Sequence, residues 1–223
     1  MKPFSLLIKP ASADCNLRCR YCFYLPKGEL FPQAKTHRMS YNTLNRLVSS
    51  YMATDQKQYT FVWQGGEPTL MGLNFFEKVI ELQKEHGRDY AVVTNVLQTN
   101  GKLIDDKWAA FLSKYRFLVG VSLDGAQELH DQNRIDARGK GSHSDVLKGI
   151  ESLRRHDVPF NILVLVSASN VTRGRETYQY LRRNDLFYHQ YIPCVEFYET
   201  SKGPSAGHTI SGKQWGSFMC EVF

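Results

Sequence analysis

The sequence predicts an α/β fold: an open, partial (β/α)6 barrel of the TIM type, with parallel strands. Three observations predict it. A short β-branched or aromatic run, a loop and an amphipathic helix recur six times along the chain. Glycine- and polar-rich segments fall just after the strand candidates, where parallel α/β folds place their binding loops. Six units fall short of a closed eight-stranded barrel, so the sheet should curve and stay open.

Phe4 to Ile8 is the first strand candidate, and a cysteine loop follows it. Ser40 caps a helix that puts Leu44, Leu47, Val48, Tyr51 and Met52 on one face. Tyr59 to Trp63 is a second strand running into Gln64-Gly65-Gly66-Glu67-Pro68, read as a tight turn. The next helix carries Phe75, Phe76, Val79, Ile80 and Leu82 and closes at Gly87. Tyr90 to Leu97 is a third strand ending in Gln98-Thr99-Asn100-Gly101, followed by a helix from Asp105 to Lys114. Phe117 to Leu123 is a fourth strand, with Asp124 expected to serve the turn at Gly125. A long polar loop follows, then a helix with Val146, Leu147, Ile150 and Leu153. Phe160 to Val166, a helix from Thr172 to Arg183, and Tyr188 to Val195 complete the strand series. A Gly/Ser/Pro-rich loop from Ser201 to Gly212 leads to a last helix capped by Ser211.

The chain of 223 residues can bury a core as one domain, 1–223. It is 42% hydrophobic and 22% charged, as soluble globular proteins are. The net charge of +6 is modest, and no Lys/Arg run marks a nucleic-acid arm. The apolar run near the N-terminus is interrupted at Lys9, and no stretch is long enough to span a membrane. The expectation is a cytoplasmic protein with no nucleic-acid or membrane partner.

Three of the five cysteines, Cys15, Cys19 and Cys22, lie within eight residues, spaced Cys-x3-Cys-x2-Cys. In a reducing compartment such a cluster more often binds metal than forms disulfides. Structural zinc and most iron–sulfur clusters take four protein ligands, so three leave one position open. Plainer readings are a loop without metal and a zinc loop that borrows a fourth ligand. Cys194 and Cys220 read as buried small apolar residues.

Cys15-x3-Cys19-x-Tyr21-Cys22 followed by Gly65-Gly66-Glu67-Pro68 resembles the radical S-adenosylmethionine superfamily. Ser5 to Pro10, Cys22-Phe23-Tyr24, Gln64 to Leu70, Leu97 to Gly101, Phe117 to Gly120 and Phe160 to Leu163 resemble its anaerobic sulfatase-maturating enzymes. The resemblance implies that Cys15, Cys19 and Cys22 each bind one iron of a [4Fe-4S] cluster. The fourth iron would chelate S-adenosylmethionine. Tyr21 would offer backbone to the adenine, Gly66 would accept from the methionyl amino group, and Ser122 would bond the bound cofactor. Arg134 would pair with the cofactor carboxylate, though by itself it reads as a solvated loop residue. Val195 would contact the adenine, where family members often have leucine. Tyr24, Gln64, Gln98 and Asn100 would surround a mouth for the substrate peptide, or simply bond their own loops.

The implied reaction is reductive cleavage of S-adenosylmethionine to a 5′-deoxyadenosyl radical, which oxidises a sulfatase Cys or Ser to Cα-formylglycine. The implied partners are a sulfatase polypeptide and an electron donor such as flavodoxin or ferredoxin. Relatives carry a further cysteine-rich domain with two auxiliary clusters and the catalytic base. The expectation is a chain cut short before that domain, with no base assignable here. The alternatives are a modifier of another peptide and a non-catalytic remnant that only binds a cluster or metal.

Overall fold

The computed structural model describes residues 3–195 and 207–223. Six strands form one sheet: β1 (Leu6–Ile8), β2 (Gln58–Trp63), β3 (Val92–Thr99), β4 (Leu118–Ser122), β5 (Phe160–Val166) and β6 (His189–Pro193). They lie side by side in chain order, and every pairing is parallel. β1 and β6 are therefore edges, and the sheet is open as expected.

The longer connections are helical: α1 (Tyr41–Met52), α2 (Leu73–Glu85), α3 (Asp106–Lys114), α4 (Gln127–Asp131), α5 (His143–Arg155) and α6 (Gly174–Arg183). α7 (Gly212–Val222) packs on α6. Ser40 and Asp105 cap α1 and α3 by accepting from the amides of Thr43 and Trp108. Ser211 and Gln214 form a capping box at α7.

Alternation along the strands sends side chains to two different environments. Tyr59, Phe61, Trp63, Leu97, Val119 and Val121 are buried under the helices. Their rings meet Tyr51 of α1 and Phe75 and Phe76 of α2. Burying each such side chain stabilises by about 1.5–3 kcal/mol. The indole N–H of Trp63 donates to Asn95 Oδ1 (2.9 Å), and Asn95 pairs with Gln83, so the polar atoms in this layer are satisfied. The opposite face carries Leu7, Val62, Gln64, Val96, Gln98 and Ser122, all at least partly open.

Several bounds differ from expectation. β3 runs on through Thr99, because Gln98 and Thr99 pair with Gly120 and Val121. β1 begins at Leu6, and β6 stops at Pro193, although the Cys194 amide still donates to the Val166 carbonyl (2.8 Å). Short 3-10 helices at Leu25–Leu30 and Pro68–Met71, together with α4, are too brief to leave a periodic pattern. Cys194 is buried as expected, but Cys220 is exposed. Residues 201–206 of the glycine/serine/proline-rich loop lie outside the described residues. Among the described residues, no helix is long and apolar enough to cross a membrane.

Candidate functional site

The cysteine loop leaves the carboxyl end of β1 and is braced from two sides. On one side the amides of Gly66 and Glu67 donate to the carbonyls of Ser12 and Asp14 (2.8 Å each). Here the glycine is obligatory: a β-carbon on Gly66 would stand 2.1 Å from the Asp14 carbonyl oxygen. On the other side, Arg18 and Arg20 donate their amides to Ile135 (2.6 Å) and Asn133 (3.0 Å), straddling Arg134. Leu17, 1% exposed, anchors the loop between these braces, and its amide donates to Cys15 Sγ (3.3 Å).

Glu67 ties the glycine turn to the end of β3. Its carboxylate, fully buried, accepts from the Thr69 amide (3.0 Å), the hydroxyls of Thr69 (2.7 Å) and Thr99 (2.8 Å), and the Asn100 amide (2.7 Å). Burial raises its pKa against the pull of those donors. Asn100 Nδ2 donates to Asn16 Oδ1 (2.7 Å) and approaches Cys15 Sγ (3.7 Å), while its Oδ1 accepts from the Lys102 amide. The Asn100 side chain is thus committed to the cysteine loop.

Asp124 does not serve as a turn cap. It is 1% exposed and holds Arg134 in a bidentate pair (2.9 and 3.0 Å). It also accepts from the Tyr21 hydroxyl and the Leu165 amide (3.0 Å). The Tyr21 ring lies 5.5 Å from the Arg134 guanidinium. Arg134 is accordingly buried rather than solvated, and burial works against the charge of both partners. Their mutual attraction prevails: Asp124 titrates below the usual carboxylate range and Arg134 above its ordinary value. Among the described residues, Arg134 keeps Nη1 unbonded and has a second N–H on Nη2 to spare, donors available to a carboxylate.

His130 locks this pair from behind. Its Nδ1 accepts from the Asp124 amide (3.3 Å), so its proton sits on Nε2, which faces Ser142 Oγ (2.9 Å). Ser142 in turn donates to the Arg134 carbonyl (2.8 Å). Burial pushes the His130 pKa down to about 3, so the imidazole is neutral.

The three thiols are in no disulfide. Burial pushes Cys15 up to about 11 and Cys19 up to about 12; Glu67 and Cys22 raise the first further, and Cys22 and Cys15 the second. Arg134 draws Cys19 the other way. Without metal the loop therefore stores protonated thiols, and a cation would expel the protons. Among the described residues, no three His, Cys, Asp or Glu side chains converge on a single-ion site. A cluster asks for something else, since each thiolate then takes its own iron. Asn16 Nδ2 is buried without a partner at the same loop, a donor suited to a guest that carries acceptors. The donor set fits an iron–sulfur group with a polar ligand beside it.

A family model described as the radical SAM superfamily matches residues 10–181. This chain belongs to the radical SAM superfamily. The cofactors of that superfamily are a [4Fe-4S] cluster and S-adenosylmethionine. The chain is 36% identical, over its whole length, to a serine-type anaerobic sulfatase-maturating enzyme of Bacteroides thetaiotaomicron, covering 57% of it. It is 39% identical to a cysteine-type anaerobic sulfatase-maturating enzyme of Clostridium perfringens, covering all of this chain and 60% of that one. The solved structure of native anSMEcpe with bound AdoMet and Cp18Cys peptide matches with TM-score 0.87 and 38% identity, over 98% of this chain and 58% of that one. The chain thus spans about three-fifths of the relatives it matches.

Of the other expected contacts, Ser122 closes β4, half-buried, and Gln98 lies near the end of β3 on the same open face. Gln64 Nε2 donates to the Tyr24 hydroxyl (3.4 Å), and Lys9 sits over the Tyr24 ring (5.0 Å). Val195, half exposed, is apart from these bonds. Sequence reading missed Glu67, His130 and Ser142. Glu67 sits inside the quoted Gly-Gly-Glu-Pro motif, and its charge beside two glycines was the available signal. His130 and Ser142 left none.

Proposed function

We propose that residues 1–223 form the radical-generating domain of a sulfatase-maturating enzyme. The observation that carries this reading is the convergence of three unbridged cysteines, the glycine turn, the β3 end and the Asp124–Arg134 pair on one cross-braced loop. Cys15, Cys19 and Cys22 would hold the cluster. Gly66 has a carbonyl that accepts nothing among the described residues, and it would take the amino group of S-adenosylmethionine. Nη1 of Arg134 would meet the carboxylate, with Asp124 fixing the guanidinium plane. Tyr21, Ser122 and Val195 would border the rest of the cofactor.

Bound cluster and S-adenosylmethionine would supply a reducing electron and a 5′-deoxyadenosyl radical able to take one hydrogen from a sulfatase Cys or Ser; formation of Cα-formylglycine would further need an electron acceptor and a base to take the second electron and proton. The chain's own task is to orient these groups and shield them. Tyr24, Gln64 and Gln98 line the open face and would bond the peptide. Asn100 would act on the cysteine loop instead. The anSMEcpe structure, with AdoMet and peptide bound together, supports a peptide substrate. The electron would come from a protein such as flavodoxin or ferredoxin, and the site of action would be the cytoplasm.

Anaerobic reconstitution tests the reading. Iron should reach about four per chain, and dithionite with S-adenosylmethionine should yield 5′-deoxyadenosine. A sulfatase-motif peptide should then lose mass as its Cys or Ser is oxidised. Zinc near one per chain, or no 5′-deoxyadenosine, would overturn it. Modification of a different peptide alone would keep the chemistry and move the substrate.

A further inference from the structure

Most of the net charge of +6 lies in the first forty residues, which include the cysteine loop. Residues 1–40 hold seven Lys or Arg against two Asp or Glu, and residues 41–223 hold 21 against 20. One of the two acids, Asp14, is already held by Arg38 (3.0 Å) and by the His37 amide (2.8 Å). Elsewhere many bases face acids, as in Lys78–Glu81, Arg154–Glu151, Arg155–Asp106 and Arg173–Glu128. Lys27 and Lys35 are exposed and pair with no acid among the described residues. Beside them three large apolar side chains face solvent: Phe23 (63% exposed), Leu30 (68%) and Phe31 (56%). A cavity of about 490 Å³ opens in this surface, lined by Cys15, Asn16, Arg18, Leu25, Lys35 and Arg38.

We propose that this basic, ring-studded surface over 18–38 is the docking site of an acidic electron-carrier protein, which delivers one electron through the Cys15 side of the loop. The inference rests on the radical SAM reading above. Exposed apolar side chains set among charges mostly of one sign let a transient interface select an oppositely charged partner, with Glu29 the one acid among them. A second copy of this chain would set like charge against like, which is unfavourable. The transfer makes and breaks no bond: the carrier is oxidised by one electron and the iron–sulfur group is reduced by one.

An acidic flavodoxin is the probe. Its binding to the chain, with and without iron, is measured by fluorescence anisotropy at low salt. Lys27→Glu/Lys35→Glu should weaken binding about tenfold, and added salt should erase most of the difference, since steering between exposed charges is screened. Glu29→Lys should move the same constant the other way. In reconstituted protein, the rate of reduction by flavodoxin hydroquinone should fall in parallel, with reduction by dithionite at high salt unchanged. Equal flavodoxin binding in the double variant and the wild type would overturn the proposal. So would tighter binding of a single-stranded RNA oligonucleotide than of flavodoxin, or self-association through this face. Failure of the radical SAM reading is separate: dithionite would then give no 5′-deoxyadenosine in any variant.

Discussion

On one face of the sheet Tyr59, Phe61, Trp63, Leu97, Val119 and Val121 are sealed under helices. On the other face of the same strands Leu7, Val62, Gln64, Val96, Gln98 and Ser122 stay partly open. A parallel sheet normally has both faces covered, and its strands then read as continuous apolar runs. β2 and β3 alternate instead, while β4 and β5 keep runs of buried positions. The covered face holds the fold together, and the open face, with the loops at its carboxyl end, is left for ligands.

The largest effect that would sharpen this division comes from the loop. Cys19→Ala should abolish iron binding and cofactor cleavage, measured by metal analysis and 5′-deoxyadenosine, while the melting temperature of the metal-free chain barely moves. Asp124→Ala should be costly in both respects. It strands a buried guanidinium, a change worth about 3–5 kcal/mol, and it releases the plane of Arg134. Chemical denaturation should show the first, and the Kd for S-adenosylmethionine the second. Trp63→Ala, on the covered face, should cost about 3–5 kcal/mol as a cavity and leave the affinity of the surviving folded fraction intact.

Smaller effects follow pH. His130 is held near 3, against 6.5 in the unfolded chain. The unfolded state therefore binds the extra proton first, and the stability of the metal-free chain should decline as pH falls from 6.5 toward 3. Cys15 and Cys19 shift the opposite way, from 9.0 to about 11 and 12. Their contribution is complete below pH 9 and is lost as pH rises through those values. Thermal melts across both ranges check this, with His130→Asn flattening the acid limb and iron loading removing the alkaline one. The smallest effect belongs to Gln98→Ala on the open face: within about 0.5 kcal/mol of wild type in stability, with a raised KM for peptide. If it destabilised like Trp63→Ala, the two faces would not differ as described.

Much of this was legible in the sequence. The strand–helix rhythm gave all six strands, because alternation and helical periodicity each follow from which side of an element is buried. Cys15, Cys19 and Cys22 announced themselves by spacing. Roles that depend on contacts between distant segments were less visible. Asp124 looked like a turn residue because its partners, Tyr21 and Arg134, lie on other loops. Asn100 reads equally as a peptide contact or a loop residue, and only the fold shows its side chain donating to Asn16. The basic excess of residues 1–40 is legible by counting, and the fold adds that Arg18, Lys35 and Arg38 line one cavity with Cys15.

Glu67 is a single carboxylate with four donors drawn from two strand-end segments, and the turn that carries it is bonded in turn to Asp14 of the cysteine loop. The segment that would grip the amino acid and the segment that would grip the metal therefore cannot relax separately. Their occupancies should be thermodynamically coupled: whatever factor the metal adds to cofactor affinity, the cofactor must return to the metal. Iron would then leak fastest from enzyme starved of S-adenosylmethionine, and a chelator's rate of stripping becomes a gauge of cofactor binding.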